Sequence, residues 1–371
     1  MLRDLAVGLV SQGVEVTILC MAERGTVDER IDGVRVVRIG GVFSRRNTLL
    51  RAAAYVFMIP SLLVRALLMR RTDAVVTMTD PPMLAVVGPM IAFFKRNRII
   101  HWAQDLYPEV AEELGVLPRG SAATRLLRVV SSQALRQADA VVSIGRCMTA
   151  RLRGRGVVYG RIREIANWSP PVAPVPPGEN KFRASLGIGD AFVVAYSGNM
   201  GLAHEFDAVL EAASDLSGRK VVFLMIGDGP RRAEVQAEAF RRGLGNMRFL
   251  PAQPREQLAE SLSAADAHLV TMRANLCGLV VPSKFYGVLT AGRPCIFVGP
   301  GNSEVARVIK ESGVGRVLDP GDGVGLAAAI AGWMDDPSSH ADVCRNASEA
   351  GAEATSERAI RSFGNLLESL R

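Results

Sequence analysis

The chain has five cysteines, Cys20, Cys147, Cys277, Cys295 and Cys344, but no Cys-x-x-Cys pair and no cluster of cysteine with histidine. That scatter excludes a zinc ribbon or a disulfide framework. It leaves the cysteines as small buried hydrophobes in a reducing compartment, and no metal site is indicated. The opening stretch MLRDLAVGLVSQG has neither the long apolar core nor the cleavage site of a secretory signal. An uninterrupted membrane span is also missing. Leu49 to Met69 is nearly all apolar, but Arg51, Pro60 and Arg65 break it, so an interfacial or buried helix is expected. Disorder is excluded by composition, with 49% hydrophobic and 22% charged residues.

What is present suits two domains in 371 residues. The formal net charge of +7 fits a polyanion, an anionic membrane surface or a phosphate-bearing substrate, or simply a generally basic proteome. Short β-branched runs alternate with helical segments. In the first half the expected strands are 14–20, 34–39, 74–79, 99–103, 140–144 and 163–167. Near-continuous apolar strands separated by helices imply parallel sheets covered on both faces.

The stretch SPPVAPVPPGEN, Ser169 to Asn180, then interrupts the pattern with five prolines and a glycine. It reads as a stiff linker and a domain boundary. Beyond it the alternation restarts with strands expected at 192–196, 221–226, 267–271, 295–298 and 315–318. A helix is expected over 202–213, another opens at Pro230, and a last amphipathic helix covers 356–370. Two doubly wound sheets give a cleft between domains, and such sheets bind ligands outside the carboxyl ends of their strands.

Four stretches carry chemistry. AYSGNMG, Ala195 to Gly201, joins a strand to a helix; Gly198 and Gly201 allow close backbone approach, and a helix N-terminus beyond them would cradle a diphosphate. A plain tight turn is the competing reading. The stretch lacks the G-x-G-x-x-G pattern, and no acidic residue follows as a ribose hook, which disfavours NAD. MIGDGP, Met225 to Pro230, is a second glycine turn, where Gly227 and Gly229 can line a flat pocket for a base. In LVVPSKFYGVLTAGRPCIFV, Leu279 to Val298, Ser283 is placed to cap a helix whose first turn holds Lys284. A cation there opposes the helix dipole, which suggests an anionic ligand nearby, and Arg273 can reach the same anion. HWAQDLYPE, His101 to Glu109, ends a buried strand. Asp105 or Glu109 can act as a base toward an acceptor hydroxyl, or Asp105 can merely cap a helix after Pro108. His101 reads as a packed histidine.

In combination these motifs resemble the retaining GT-B glycosyltransferases of family 4, the glycosyl transferases group 1. The resemblance is nearest to bacterial members that build capsule, O-antigen or exopolysaccharide, including amino-sugar and deoxysugar transferases. It rests on RDLAVGLVSQGVEV, TDPPM, QDLYPE, ADAVVSIG, IANWSP, YSGNMG, IGDGP, VVPSKFYGVLTAGRP and GVGRVLDPGD, in family order along nearly the whole chain. It implies an α/β fold of two Rossmann-like doubly wound domains facing across a cleft. Residues 1–168 would form the acceptor domain, 169–180 the linker and 181–355 the nucleotide-sugar domain, with helix 356–370 returning to the first. It implies a nucleoside-diphosphate sugar donor, a UDP sugar above others, and needs no metal ion or other cofactor. Gly198, Asn199, Gly201, His204, Gly227, Gly229, Arg273, Pro282, Ser283 and Lys284 would surround the donor. Asp105, Glu109 and Lys284 are the catalytic candidates.

Three positions depart from the family pattern. Leu279 and Gly287 stand where relatives carry two glutamates eight residues apart. Asn199 and His204 stand where many have Arg and Lys. Gln104 stands where many have histidine, which shifts weight to Asp105. The chain also opens inside what resembles the family's first helix. The expected first strand and its glycine loop are absent, so the true start is expected upstream or the polypeptide is expected to be impaired.

The arginines at 45, 46, 51, 65, 70 and 71 beside or within the 49–69 helix suit an anionic bilayer, and with it a lipid-diphosphate-linked acceptor. The expected location is the cytoplasm, at the cytoplasmic face of the inner membrane, and nucleic acid is not an expected partner. The expected reaction retains anomeric configuration by front-face attack. A UDP-sugar epimerase and a non-catalytic sugar-nucleotide or lipid-binding homologue are the alternatives.

Overall fold

The computed structural model describes residues 1–22, 25–40 and 48–370, apart from the side chains of 48–56. The expectations placed on Arg45 and Arg46, and on the side chain of Arg51, lie outside what is described. The chain divides into two compact units. The first comprises Met1–Ala166, Gly278–Val280 and Ser356–Arg371; the second comprises Asn167–Cys277 and Val281–Thr355.

The first unit runs α1 (Leu2–Ser11), β1 (Thr17–Ala22), β2 (Val27–Ile31), β3 (Val34–Gly40), α2 (Thr48–Leu68), β4 (Ala74–Thr77), α3 (Val87–Lys95), β5 (Arg98–Trp102), α4 (Glu109–Glu113), α5 (Ala122–Gln137), β6 (Ala140–Ser143), α6 (Arg146–Gly154) and β7 (Ile162–Glu164). Its strands form two sheets, β1-β3-β2 and the all-parallel β4-β5-β6-β7. β1 and β4 each end a sheet, and the strand expected between them is not among the described residues. β2 is an unexpected addition. Asp32 and Gly33, with φ of 51° and 82°, make the two-residue left-handed turn that pairs Ile31 with Val34. Its Asp28, Glu29 and Arg30 hide the strand from a hydrophobicity pattern.

The second unit runs α7 (Lys181–Ser185), β8 (Phe192–Ser197), α8 (Asp207–Asp215), β9 (Val221–Ile226), α9 (Arg232–Arg241), β10 (Met247–Leu250), α10 (Leu258–Ser263), β11 (Ala267–Thr271), α11 (Lys284–Thr290), β12 (Cys295–Val298), α12 (Glu304–Ser312), β13 (Gly315–Leu318), α13 (Gly323–Asp335) and α14 (Pro337–Glu353). Its six parallel strands are ordered β10-β9-β8-β11-β12-β13. Successive side chains of a strand point to opposite faces. Val194, Tyr196, Phe223 and Met225 therefore join one core with Val209, Leu326 and Ile330. Val193, Ala195, Val222 and Leu224 join the other with Ile188 and Ala265. Burial on both faces explains the continuous apolar runs read in the sequence. The chain winds outward in one direction from β8 and in the other from β11, so the sheet reverses between those two strands.

Two local expectations need correction. The helix expected over 202–213 is α8, which begins only at Asp207. The backbone before it is engaged elsewhere: the Asn199 carbonyl accepts from the Tyr196 hydroxyl at 2.8 Å and the His204 carbonyl from Arg231 at 2.9 Å. The helix expected to open at Pro230 starts at Arg232. The linker stretch is fastened to the second unit, with Val175 N–H donating to Ser263 Oγ and the Asn180 side chain capping α7.

The last helix, α15 (Ser356–Ser369), belongs to the first unit and packs on α1. Phe363 meets Trp102 edge to face at 5.1 Å, both fully buried, and the Leu370 carbonyl accepts from Arg98. Phe363→Ala is expected to cost the first unit about 3–5 kcal/mol. Denaturant unfolding followed by Trp102 fluorescence in a Trp168→Phe/Trp333→Phe background checks it; an unmoved midpoint would show that α15 is not a structural part of that unit.

Candidate functional site

In an open parallel sheet the crevice for a ligand lies at the carboxyl ends of the strands where the winding reverses. Here those ends are Tyr196 and Ser197 of β8 and Thr271 of β11. The two glycine turns interlock at this point. Gly198 N–H donates to the Ile226 carbonyl and Met200 N–H to the Asp228 carbonyl. Gly227 (φ 134°) lies so close that a Cβ would stand 2.0 Å from the Gly198 oxygen; at Gly229 (φ 140°) it would stand 2.5 Å from Asn199 Oδ1. Both glycines are therefore required by turn-on-turn packing, whatever else they line.

Lys284 stands over Gly198. Its Cε would lie 3.3 Å from a Cβ placed there, and its ammonium is 3.7 Å from the Tyr196 ring centroid. The stem is partly exposed, but Nζ is sealed from solvent and has no hydrogen-bond acceptor. A ring face offsets only part of the cost of burying a cation. Burial accordingly pulls the Lys284 pKa down to about 7. His204 Nδ1 lies 2.6 Å from the Thr271 carbonyl, which can only accept, so this nitrogen carries the proton. Burial first, and then the Lys284 charge, lowers the His204 pKa to about 4, so the ring is neutral at pH 7. Thr271 Oγ1 is likewise buried without a partner.

The remaining donor candidates are less uniform. Asn199 is exposed, Gly201 follows it in the same turn, and Arg273 is half-buried with its N–H on the Ala203 carbonyl. Pro282 is buried. Ser283 occupies the position before α11 but makes no side-chain cap, correcting that part of the sequence reading. Its backbone is already helical, with ψ −24°, which removes the extended geometry a cap requires. Arg231 was not anticipated. It braces the loop after Gly201 by donating to the His204 carbonyl, lies 5.8 Å from the Phe206 ring, and is itself held by Glu234. A basic residue immediately after the GDGP turn was its one signal.

In the first unit Asp105 caps nothing, since α4 begins after Pro108 without a side-chain cap. Its backbone instead bridges Val280, while Leu106 N–H donates to the Leu279 carbonyl at 2.9 Å. Burial, and then Asp80, raises the Asp105 pKa to about 6. Its carboxyl lines a small pocket with Thr79, Met83, His101, Tyr107 and Arg155. Glu109 is bound by Arg155, with Arg128 at 3.6 Å. His101 is buried on β5 with Nδ1 2.9 Å from Thr77 Oγ1, and burial lowers its pKa to about 4. It is the packed histidine that the sequence suggested.

Two Rossmann-like α/β units are the GT-B architecture. The chain belongs to glycosyltransferase family 4, group 1. Residues 1–168 match the glycosyl transferase 4-like domain and residues 178–351 match the glycosyl transferases group 1 domain. A Pseudomonas aeruginosa protein named as a probable glycosyltransferase, WbjE, is 32% identical over 266 residues, covering 70% of this chain and 66% of that protein. WcaI of Escherichia coli K12, named for colanic acid biosynthesis, is 25% identical over 283 residues, 74% of this chain and 69% of WcaI. Among solved structures, sucrose-phosphate synthase of Thermosynechococcus elongatus superposes with a TM-score of 0.79 at 19% identity, covering 100% of this chain and 92% of that one. Anabaena HepE, solved with UDP-glucose, gives 0.72 at 16% identity, covering 96% and 100%.

A lysine with a depressed pKa binds fewer protons folded than unfolded, so its penalty is full below pH 7 and fades as pH rises toward its ordinary value of 10.5. Lys284→Met removes the buried charge at similar volume. It is expected to raise the thermal midpoint of the ligand-free protein by a few degrees at pH 6–7, from relief of about 1–3 kcal/mol, and by less at pH 9. A lower midpoint at pH 6 would overturn the unpartnered-cation reading.

Proposed function

We propose that the protein transfers a sugar from a nucleoside-diphosphate donor, a UDP sugar, to a saccharide acceptor in the assembly of a cell-surface polysaccharide, with retention at the anomeric carbon. The observation that carries this is the buried, unpartnered Lys284 ammonium over the Gly198 turn. A cation sealed without an acceptor is stabilised by a bound diphosphate and by little else in its surroundings. The names of the relatives, and UDP-glucose in HepE, support the same donor and process.

On this reading residues 181–355 hold the donor. Gly198, Asn199 and Gly201 offer backbone and amide to the diphosphate, and Arg273, Pro282 and Ser283 complete its surroundings. Neutral His204 contributes a ring edge where a second cation would repel Lys284. The positive charge comes from side chains, so no metal ion is required. Residues 1–168 take the acceptor, with Asp105 accepting a hydrogen bond from its hydroxyl. That oxygen forms a bond to the anomeric carbon as the carbon–phosphate oxygen bond breaks on the same face. The departing phosphate receives the hydroxyl proton, and Lys284 stabilises its developing charge. The acceptor is a lipid-diphosphate-linked saccharide, and the protein works at the cytoplasmic face of an anionic inner membrane. The exposed Phe57, Val64 and Leu68 stripe of α2, beside Arg70 and Arg71, supports that placement.

A thermal-shift screen against UDP, GDP and their sugars is expected to single out UDP ligands; at a hundredfold excess over Kd the stabilisation is about 2.7 kcal/mol. No shift with any nucleotide would overturn the proposal. Conversion of UDP sugar without acceptor would identify an epimerase, and binding without transfer across an acceptor panel a non-catalytic homologue. Lys284→Ala is expected to lower kcat about 10²–10³-fold. Asp105→Asn is expected to remove an acid limb near pH 6 from the kcat/KM profile; a limb left in place would take Asp105 out of the mechanism.

A further inference from the structure

A helix at a protein surface ordinarily buries one apolar stripe and shows water a polar one. α3 does not. It buries Val87, Gly88 and Ile91 and also exposes Met90, Phe93 and Phe94, with Phe93 82% exposed. The neighbouring helices share this inversion. α2 exposes Phe57, Val64 and Leu68 along one side, and α5 exposes Leu126, Val129 and Val130 at helical spacing. α3 packs against both. Lys95, at its end, donates to the Ala66 carbonyl at 2.9 Å and to that of Met69, which fastens Phe93 and Phe94 beside the end of α2 where Leu68 stands. Single exposed hydrophobes need no explanation, but three adjacent helices with apolar outer stripes do.

The charge around this face identifies its occupant. Residues 48–98 hold seven Arg or Lys against Asp73 and Asp80. Arg70, Arg71, Arg96 and, on α5, Arg125 are exposed, and among the described residues none of them is ion-paired with a carboxylate. A second copy docked here would bring two positively charged faces together, which like-charge repulsion disfavours. An anionic bilayer offers the opposite sign together with an apolar layer at the depth a Phe side chain reaches. Among the described residues no helix is long and apolar enough to cross a membrane, so this face would lie on the bilayer. We propose that α2, α3 and α5 together form a docking face for an anionic lipid bilayer, with Phe93 and Phe94 as the side chains that enter it. This rests on the bilayer partner named above and extends it to two helices that the sequence did not single out.

Co-sedimentation with phosphatidylglycerol vesicles at low salt tests it, with phosphatidylcholine vesicles for comparison. The whole chain is expected to bind the anionic vesicles at least tenfold more tightly. Phe93→Ser/Phe94→Ser is expected to reduce that binding tenfold or more while keeping the UDP-induced thermal shift. Phe240→Ser, at the 88% exposed phenylalanine of α9 in the second unit, is expected to change nothing. Binding by the unaltered protein that Phe93→Ser/Phe94→Ser leaves intact would overturn the face but not the bilayer partner. Absence of vesicle binding by the unaltered protein would overturn both. A dimer in sedimentation equilibrium that the double variant splits would show a contact between copies and overturn the lipid assignment.

Discussion

A lysine ammonium withdrawn from water without a counter-charge is the constraint on the carboxyl ends of β8 and β11 in the second unit. The Lys284 ammonium lies over the Tyr196 ring beside the bare backbone of Gly198 and a neutral histidine, and no group there accepts a hydrogen bond from it. Each neighbour is what such a pocket tolerates. A side chain at Gly198 would crowd the lysine stem. A charged His204 would place a second unpaired cation beside the first, so the ring stays neutral and spends its one N–H on the Thr271 carbonyl.

That pocket exists because β8 and β11 lie side by side although 69 residues separate the end of one from the start of the other (Ser197 to Ala267, counting those between). The reversal of winding there opens the carboxyl ends of both strands. The interlocked turns at Gly198 and Gly227 form the floor, where a side chain at Gly227 would strike the Gly198 carbonyl oxygen. Arg231 adds a brace from the next turn, which replaces the helical hydrogen bonds that the loop before α8 does not make. The first unit treats an acid by the same rule with opposite sign: burial pushes Asp105 toward its neutral form, whereas Glu109, four residues on, is paired with Arg155.

Much of the second unit was legible in its residues. Six-residue apolar runs such as Val221–Ile226 read as strands buried on both faces because alternate side chains enter two different cores. Lys284 was legible as an oddity because a cation in the first turn of a helix opposes the dipole. The hairpin strand β2 was not legible, since ion pairs with β3 replace apolar alternation, although Asp32-Gly33 was a turn signal in plain view. The helix before Asp207 was misread because periodicity does not reveal that the loop's carbonyls are taken by Tyr196 and Arg231. In the first unit the sheet splits where a strand was expected, and the apolar outer sides of α3 and α5 went unread. A hydrophobic stripe looks the same in sequence whether it faces a core or the solvent.

Local chemistry and pattern alone determined the α/β alternation, the two-part organisation and the glycine turns, because periodicity, proline and glycine act over a few residues; the family came from the resemblance of motifs along the chain. Which ionisable groups are sealed, and so which are chemically tuned, was decided by tertiary structure. Burial and pairing depend on segments far apart in the chain: Tyr196 against Lys284, His204 against Thr271, Arg155 against Glu109. Lys284 is the clearest case. Its position was readable as odd, but only the packed strands show that its charge is left without a partner.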